Sequence, residues 1–242
     1  MHASDRPTIV LVHGAFTDAS CWGAVIGHLH RAGLTVRAPA NALRGPAADA
    51  ERLLRDLARI DGPVMLVGHG YGGAVVTRAG GRAANVVGLG YVAAFAPDQA
   101  ESIADIVTRF RPAPGADALT RAPGSPDSGG SALTVTADRF ADVLAADLAA
   151  EHAAVRAVSQ RPLTAGALRE RSSDRPAWAL LRSWYALAVA DRIIPPPAQR
   201  FMAQRMAATE YPMDASHLLP LSRAEALAQV IGAEAERAAL MT

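Results

Sequence analysis

The stretch Pro63-Val64-Met65-Leu66-Val67-Gly68-His69-Gly70-Tyr71-Gly72-Gly73 constrains the fold more than any other part of this chain. A short, continuously apolar run reads as a strand buried on both faces. The glycines lead straight into the helical pattern Ala74 to Gly80, so strand, sharp turn and helix follow one another without a linker. This is the setting in which G-x-S-x-G presents a nucleophile on a strained turn. The turn presses strand against helix, so the flanking positions must be small. At the centre, where a serine would stand, the chain has Gly70.

The same residues spell G-x-G-x-x-G, as Gly68, Gly70 and Gly73. A dinucleotide-binding turn of that form wants an acidic residue about 20 positions on to hold a ribose. None lies around Gly90, and the first acid downstream is Asp98. That fingerprint also usually occupies the first strand of its domain, whereas earlier strand patterns precede this one. The nucleotide reading is therefore set aside, and no cofactor is expected.

Apolar runs at Thr8 to Val12, Thr35 to Ala38, Val64 to Gly68, Val86 to Phe95, Ser183 to Val189 and Ala208 to Pro212 read as strands. Amphipathic stretches separate them, as in Ala47 to Ile60, where Leu53, Leu54, Leu57 and Ile60 share a face. Such alternation predicts an α/β protein, a mostly parallel sheet with helices on both faces. It breaks between about Pro97 and Arg182, where prolines and the polar loop Ser125 to Ser131 precede an Ala-rich helical pattern from Asp138 to about Gln160. We read 97–182 as a helical lid inserted in one domain that spans 1–242.

Composition removes several classes of function. The 24 basic residues are all Arg, which excludes lysine Schiff-base chemistry and the phosphate-binding lysine of a P-loop. Net charge is +1 and no basic run is interleaved with aromatics, so nucleic acid is not an expected partner. Cys21 is the only cysteine, which rules out an intrachain disulfide. Residues 1–7 lack the apolar core of a signal peptide, and no segment approaches the roughly 18 apolar residues of a membrane span. A cytoplasmic protein is expected.

Three further segments converge on the glycine turn. His13-Gly14-Ala15-Phe16 follows the first strand as a tight turn able to aim a backbone N–H at the same pocket as the N–H of Tyr71, making a two-donor oxyanion hole. Asp191 comes just past the strand Ser183 to Val189, and His217 just past the last strand. Nucleophile position, then Asp, then His is a known chain order for a catalytic triad. His13 and His69 border the same pocket, where histidines more often pin loop backbone than do chemistry. His2, His28, His30 and His152 read as surface residues without metal-ligand spacing, and no metal is expected. Cys21 reads as a small buried hydrophobe, and Trp178, Trp184 and Tyr185 as core or lid packing.

Taken together, these motifs resemble the α/β-hydrolase-fold superfamily, in particular small bacterial esterase-like proteins and plant methylesterases and hydroxynitrile lyases. The likeness covers nearly the whole chain. It rests on His13-Gly14-Ala15-Phe16 with Trp22, Asn41-Ala42-Leu43-Arg44-Gly45, Gly68 to Gly73, Tyr91-Val92-Ala93-Ala94-Phe95-Ala96-Pro97, Ala190-Asp191-Arg192 with Ile194-Pro195-Pro196, and Ala215-Ser216-His217. The resemblance implies a nucleophile at position 70, an acid at Asp191, a base at His217, and oxyanion donors at the N–H groups of Ala15 and Tyr71. Phe16, His13 and His69 would line the pocket.

Glycine cannot form an acyl-enzyme. Three readings stay open: a His217–Asp191 dyad acting as general base on a small ester or carbonyl compound, in hydrolase or lyase-type chemistry; a serine esterase inactivated by Ser-to-Gly substitution; and a small-molecule-binding protein. Under the first, loss of the hydroxymethyl group is expected to open a small polar space beside the imidazole.

Overall fold

A computed structural model describes residues 6–123 and 130–240. The reading of residues 1–5 and most of the polar loop from Ser125 to Ser131 fall outside them. The first half alternates β1 (Thr8–Val12), α1 (Gly23–Arg31), β2 (Val36–Arg37), α2 (Pro46–Leu57), β3 (Val64–His69), α3 (Gly72–Ala79) and β4 (Val86–Val92). Then come α4 (Ile103–Thr108), β5 (Leu119–Ala122), β6 (Ala132–Val135), α5 (Ala137–Leu144), α6 (Ala150–Ser159) and β7 (Leu163–Thr164). Alternation resumes with β8 (Ser183–Ala188), α7 (Pro196–Arg205), β9 (Thr209–Met213), α8 (Leu219–Ser222) and α9 (Ala224–Ala239).

The main sheet has six strands in the order β2-β1-β3-β4-β8-β9, and every adjacent pair is parallel. Successive side chains leave a strand on opposite faces, so β1 and β3 feed two cores at once. Val10, Val12, Val64 and Leu66 pack on one side with Leu53 and Leu57 of α2 and Val75 and Val76 of α3. Ile9, Leu11, Met65 and Val67 pack on the other with Val25 and Leu29 of α1 and Leu227 and Ile231 of α9. Burial on both faces is why these strands read as unbroken apolar runs. The α/β-hydrolase fold is thus present, with its helices on both sides of the sheet.

Each expected strand is found, with its ends within three residues of those expected. The run from Val86 stops at Val92 because the backbone at Ala93 turns to φ 42. The stretch expected to be a helical insertion is mixed: beside its helices it holds a three-stranded antiparallel sheet, β5-β6-β7. These strands have at most four residues each, too short a pattern to stand out beside the Ala-rich helix signal. That signal is itself two helices, because the chain leaves helical geometry at Ala145. Among the described residues, no helix is long and apolar enough to cross a membrane.

Candidate active site

The turn after β3 is compressed as its glycines suggest. A Cβ on Gly68 would lie 2.6 Å from the Gly72 carbonyl oxygen, and one on Gly72 would lie 2.9 Å from the His13 carbonyl oxygen and closer still to that of Val12. Gly70 has φ 53, the left-handed conformation of a strained elbow centre, and is buried.

Two loops from distant parts of the chain meet above it. Asp191, after β8, accepts backbone hydrogen bonds at Oδ1 from Ile193 (2.8 Å) and Ile194 (2.9 Å). At Oδ2 it accepts from Gln199 Nε2 (2.9 Å) and lies 2.8 Å from Nδ1 of His217. A carboxylate only accepts, so Nδ1 carries the proton and the His217 Nε2 lone pair is free to act as a base. That Nε2 stands 3.1 Å from where a Cβ on Gly70 would sit. A side chain at position 70 would therefore press on the imidazole, and the space beside it is tighter than the small polar opening expected from the sequence.

The first turn supplies a second wall. The Phe16 N–H donates to the Arg161 carbonyl at 3.0 Å and is thereby committed. The N–H groups of Ala15 and Tyr71 have no acceptor among the described residues, leaving both available to an oxyanion. The Tyr71 side chain points elsewhere, its hydroxyl donating to Asp49 Oδ2 at 2.7 Å.

His13 and His69 hold backbone in place. Asn41 N–H donates to His13 Nε2 at 2.9 Å, so His13 Nδ1–H donates to the Gly14 carbonyl, also at 2.9 Å. This ties the first turn to the loop before α2. His69 Nε2–H donates to the carbonyl of His217 at 2.9 Å, and the two rings lie 4.7 Å apart. The elbow strand thus grips the His217 loop directly.

A family model described as the alpha/beta hydrolase family matches residues 9–230 of this chain. The chain belongs to that family. In fold this α/β hydrolase is similar to a pyrethroid hydrolase from Sphingobium faniae JZ-2, with a TM-score of 0.79 and 22% identity over 95% of this chain and 97% of that one. It is similar to polyneuridine aldehyde esterase, with a TM-score of 0.79 and 19% identity over 93% and 98% of the two chains. A methylesterase from Arabidopsis gives a TM-score of 0.77 and 17% identity over 95% and 99%. No curated protein matches it in sequence.

Some residues that shape the site of this α/β hydrolase escaped sequence reasoning. Gln199 is fully buried on α7, where its amide binds Asp191, the Ile194 carbonyl and the Ala188 N–H (3.1 Å). The available signal was a glutamine on the same helical face as Met202 and Ala203. Asp49 is also buried, and burial raises its pKa despite the hydrogen bonds from Tyr71 and the Arg44 backbone. Other candidates resolve as packing. Cys21 is buried, which pushes its thiol up to about 12, and Trp22, Trp184 and Tyr185 are core residues.

The buried histidines carry a consequence for acid stability. Burial, reinforced by the neighbouring His217, pushes His69 from 6.5 down to about 3, and burial lowers His13 as well. Between those two values the unfolded chain binds a proton that folded His69 refuses. This stabilisation is therefore complete above about pH 6.5 and is lost as pH falls toward 3. Urea unfolding at pH 7 and pH 4 should show a larger drop in midpoint for the parent than for His69→Gln. Equal drops would remove His69 as a cause. Asp49 acts in the opposite sense at low pH but is common to both proteins.

Proposed function

We propose that this α/β hydrolase acts on a small ester or carbonyl compound through His217 as general base, oriented by Asp191, without a covalent intermediate. The observation that carries the reading is the 2.8 Å contact from Asp191 Oδ2 to His217 Nδ1, with Nε2 facing the elbow centre. For an ester, Nε2 takes a proton from water as its oxygen attacks the carbonyl carbon. The resulting oxyanion rests on the N–H groups of Ala15 and Tyr71. The imidazolium then returns the proton to the departing alkoxide, giving acid and alcohol. For a β-hydroxycarbonyl compound the same base would take the hydroxyl proton as the Cα–Cβ bond breaks, releasing one carbonyl product and an enolate whose oxygen rests on the same donors and whose carbon takes the proton back from the imidazolium. The insertion 97–182 acts as lid, a role supported by its bond to the oxyanion turn at Phe16.

The inactivated-esterase reading has its own support, since Gly70 keeps a left-handed elbow conformation that a chain without a nucleophile does not need. Assay of the parent against small esters and β-hydroxycarbonyl compounds separates the readings. The dyad reading expects steady turnover with no acyl-enzyme burst, reduced about 10²–10⁴-fold in His217→Ala and strongly in Asp191→Asn. Turnover that survives His217→Ala would overturn it. Tight ligand binding with no turnover at all would favour the pure-binding reading.

A further inference from the structure

The loop that carries His217 is fastened to the insertion on both sides of the histidine. Leu218 N–H donates to the Leu144 carbonyl at 2.9 Å, at the end of α5. The Ser216 hydroxyl lies 3.0 Å from the same oxygen and also meets the Asp147 carboxylate. Arg223 stands 3.7 Å from the other Asp147 oxygen. The Asp191 loop is held by the same part of the chain, since Arg192 pairs with Asp142 of α5 and the Gly115 N–H donates to the Arg192 carbonyl at 2.8 Å.

Ala145-Ala146-Asp147-Leu148-Ala149 is rich in strong helix formers and would by propensity join α5 to α6. Instead Ala145 takes φ −133 and ψ 33, and the buried end of α5 turns its Leu144 carbonyl to the His217 loop. Local preference is overridden where the insertion meets that loop, and Asp147 lies within the break. Burial is the largest single influence and pushes the Asp147 carboxyl up, but hydrogen bonding from Ser216 and the neighbouring Ser222 together outweighs it and leaves the group below the usual carboxylate range. It therefore stays an acceptor at neutral pH.

We infer that Asp147, acting through Ser216, is a positioning residue for His217, so that seating of the insertion and alignment of the dyad are one equilibrium. This rests on the general-base reading above. With the insertion acting as the lid proposed above, a ligand that displaces it on the way to Gly70 would loosen the base on entry and restore it on closure. The α5 end thus couples access to chemistry.

The test is hydrogen exchange in the full-length chain, followed by NMR at three places: the His217 Nδ1–H, the Leu218 amide and the core amides of β3. In the parent, the Nδ1–H should appear as a slowly exchanging downfield resonance. Asp147→Ala should speed its exchange and that of Leu218 about tenfold, the scale of one lost charge-assisted hydrogen bond, while β3 is unchanged. Asp147→Asn keeps an acceptor for Ser216 and should restore most of the protection. Unchanged His217 exchange in folded Asp147→Ala overturns the proposal. So does an equal acceleration of β3, which would mean a merely global loss of stability. Should Asp147→Ala not fold, Ser216→Ala removes the same bond together with the hydroxyl's contact to the Leu144 carbonyl, and at least as large an acceleration at His217 and Leu218 with β3 unchanged is then expected. A parent with no protected Nδ1–H resonance would instead sink the dyad reading itself, before any variant is made.

Discussion

Gly70→Ser is expected to hydrolyse activated aryl esters through an acyl-enzyme, with a pre-steady-state burst that the parent lacks and that His217→Ala abolishes. The added hydroxyl would enter a site that already holds a base 3.1 Å from its Cβ and two uncommitted backbone donors. One such donor is worth roughly 2.7–4 kcal/mol of barrier, and as backbone it does not depend on the residue at position 70. The backbone can accept the change, since the Gly14 Cα would lie at an ordinary 3.7 Å from the new Cβ. The tight neighbour is the imidazole, with Cε1 at 3.4 Å, so the His217 ring must move by a few tenths of an ångström. With φ at 53, a side chain there also adds strain of about 1–3 kcal/mol, readable as a lower melting temperature. A folded Gly70→Ser protein without a burst would mean that the frame no longer supports covalent catalysis.

The second large effect is on stability. Gly72→Ala should destabilise the chain by about 3 kcal/mol or more, a fall in Tm of roughly 6–12 °C for a chain of this size. Its Cβ would run into the carbonyl oxygens of both Val12 and His13. These are backbone atoms of a strand and its turn, so neither can rotate aside as a side chain would. Gly166→Ala is the control: a Cβ there meets nothing within 4 Å, and the change should stay within about 0.5 kcal/mol. A Gly72→Ala melting curve that overlays the parent's would show that the turn is looser than its contacts imply.

How much of this was legible in advance depends on whether a feature is local. The four inner strands β1, β3, β4 and β8 could be read from unbroken apolar runs, because burial on both faces leaves no polar alternation to misread, whereas the edge strands β2 and β9 are less apolar and partly exposed. The compressed elbow could be read from its glycines, and the positions of Asp191 and His217 from their places just past strand ends. The small sheet of the insertion could not, because β5, β6 and β7 are too short to carry a period of their own. The break between α5 and α6 was hidden for a related reason. Alanine-rich sequence favours a continuous helix, and what interrupts it is the contact with a loop some 70 residues further along the chain.

The sequence by itself determined the sheet, the turn that a side chain cannot enter at Gly72, and the absence of a nucleophilic side chain at position 70. Each of these follows from residue size or from the side-chain period along the backbone. Tertiary structure alone decided how far the imidazole descends toward Gly70, that Gln199 holds Asp191, that His69 grips the His217 carbonyl, and that Asp147 reaches Ser216. These are contacts between segments far apart in the chain. Their geometry is set by how helices and loops pack on the finished sheet, and no local pattern of residues records it.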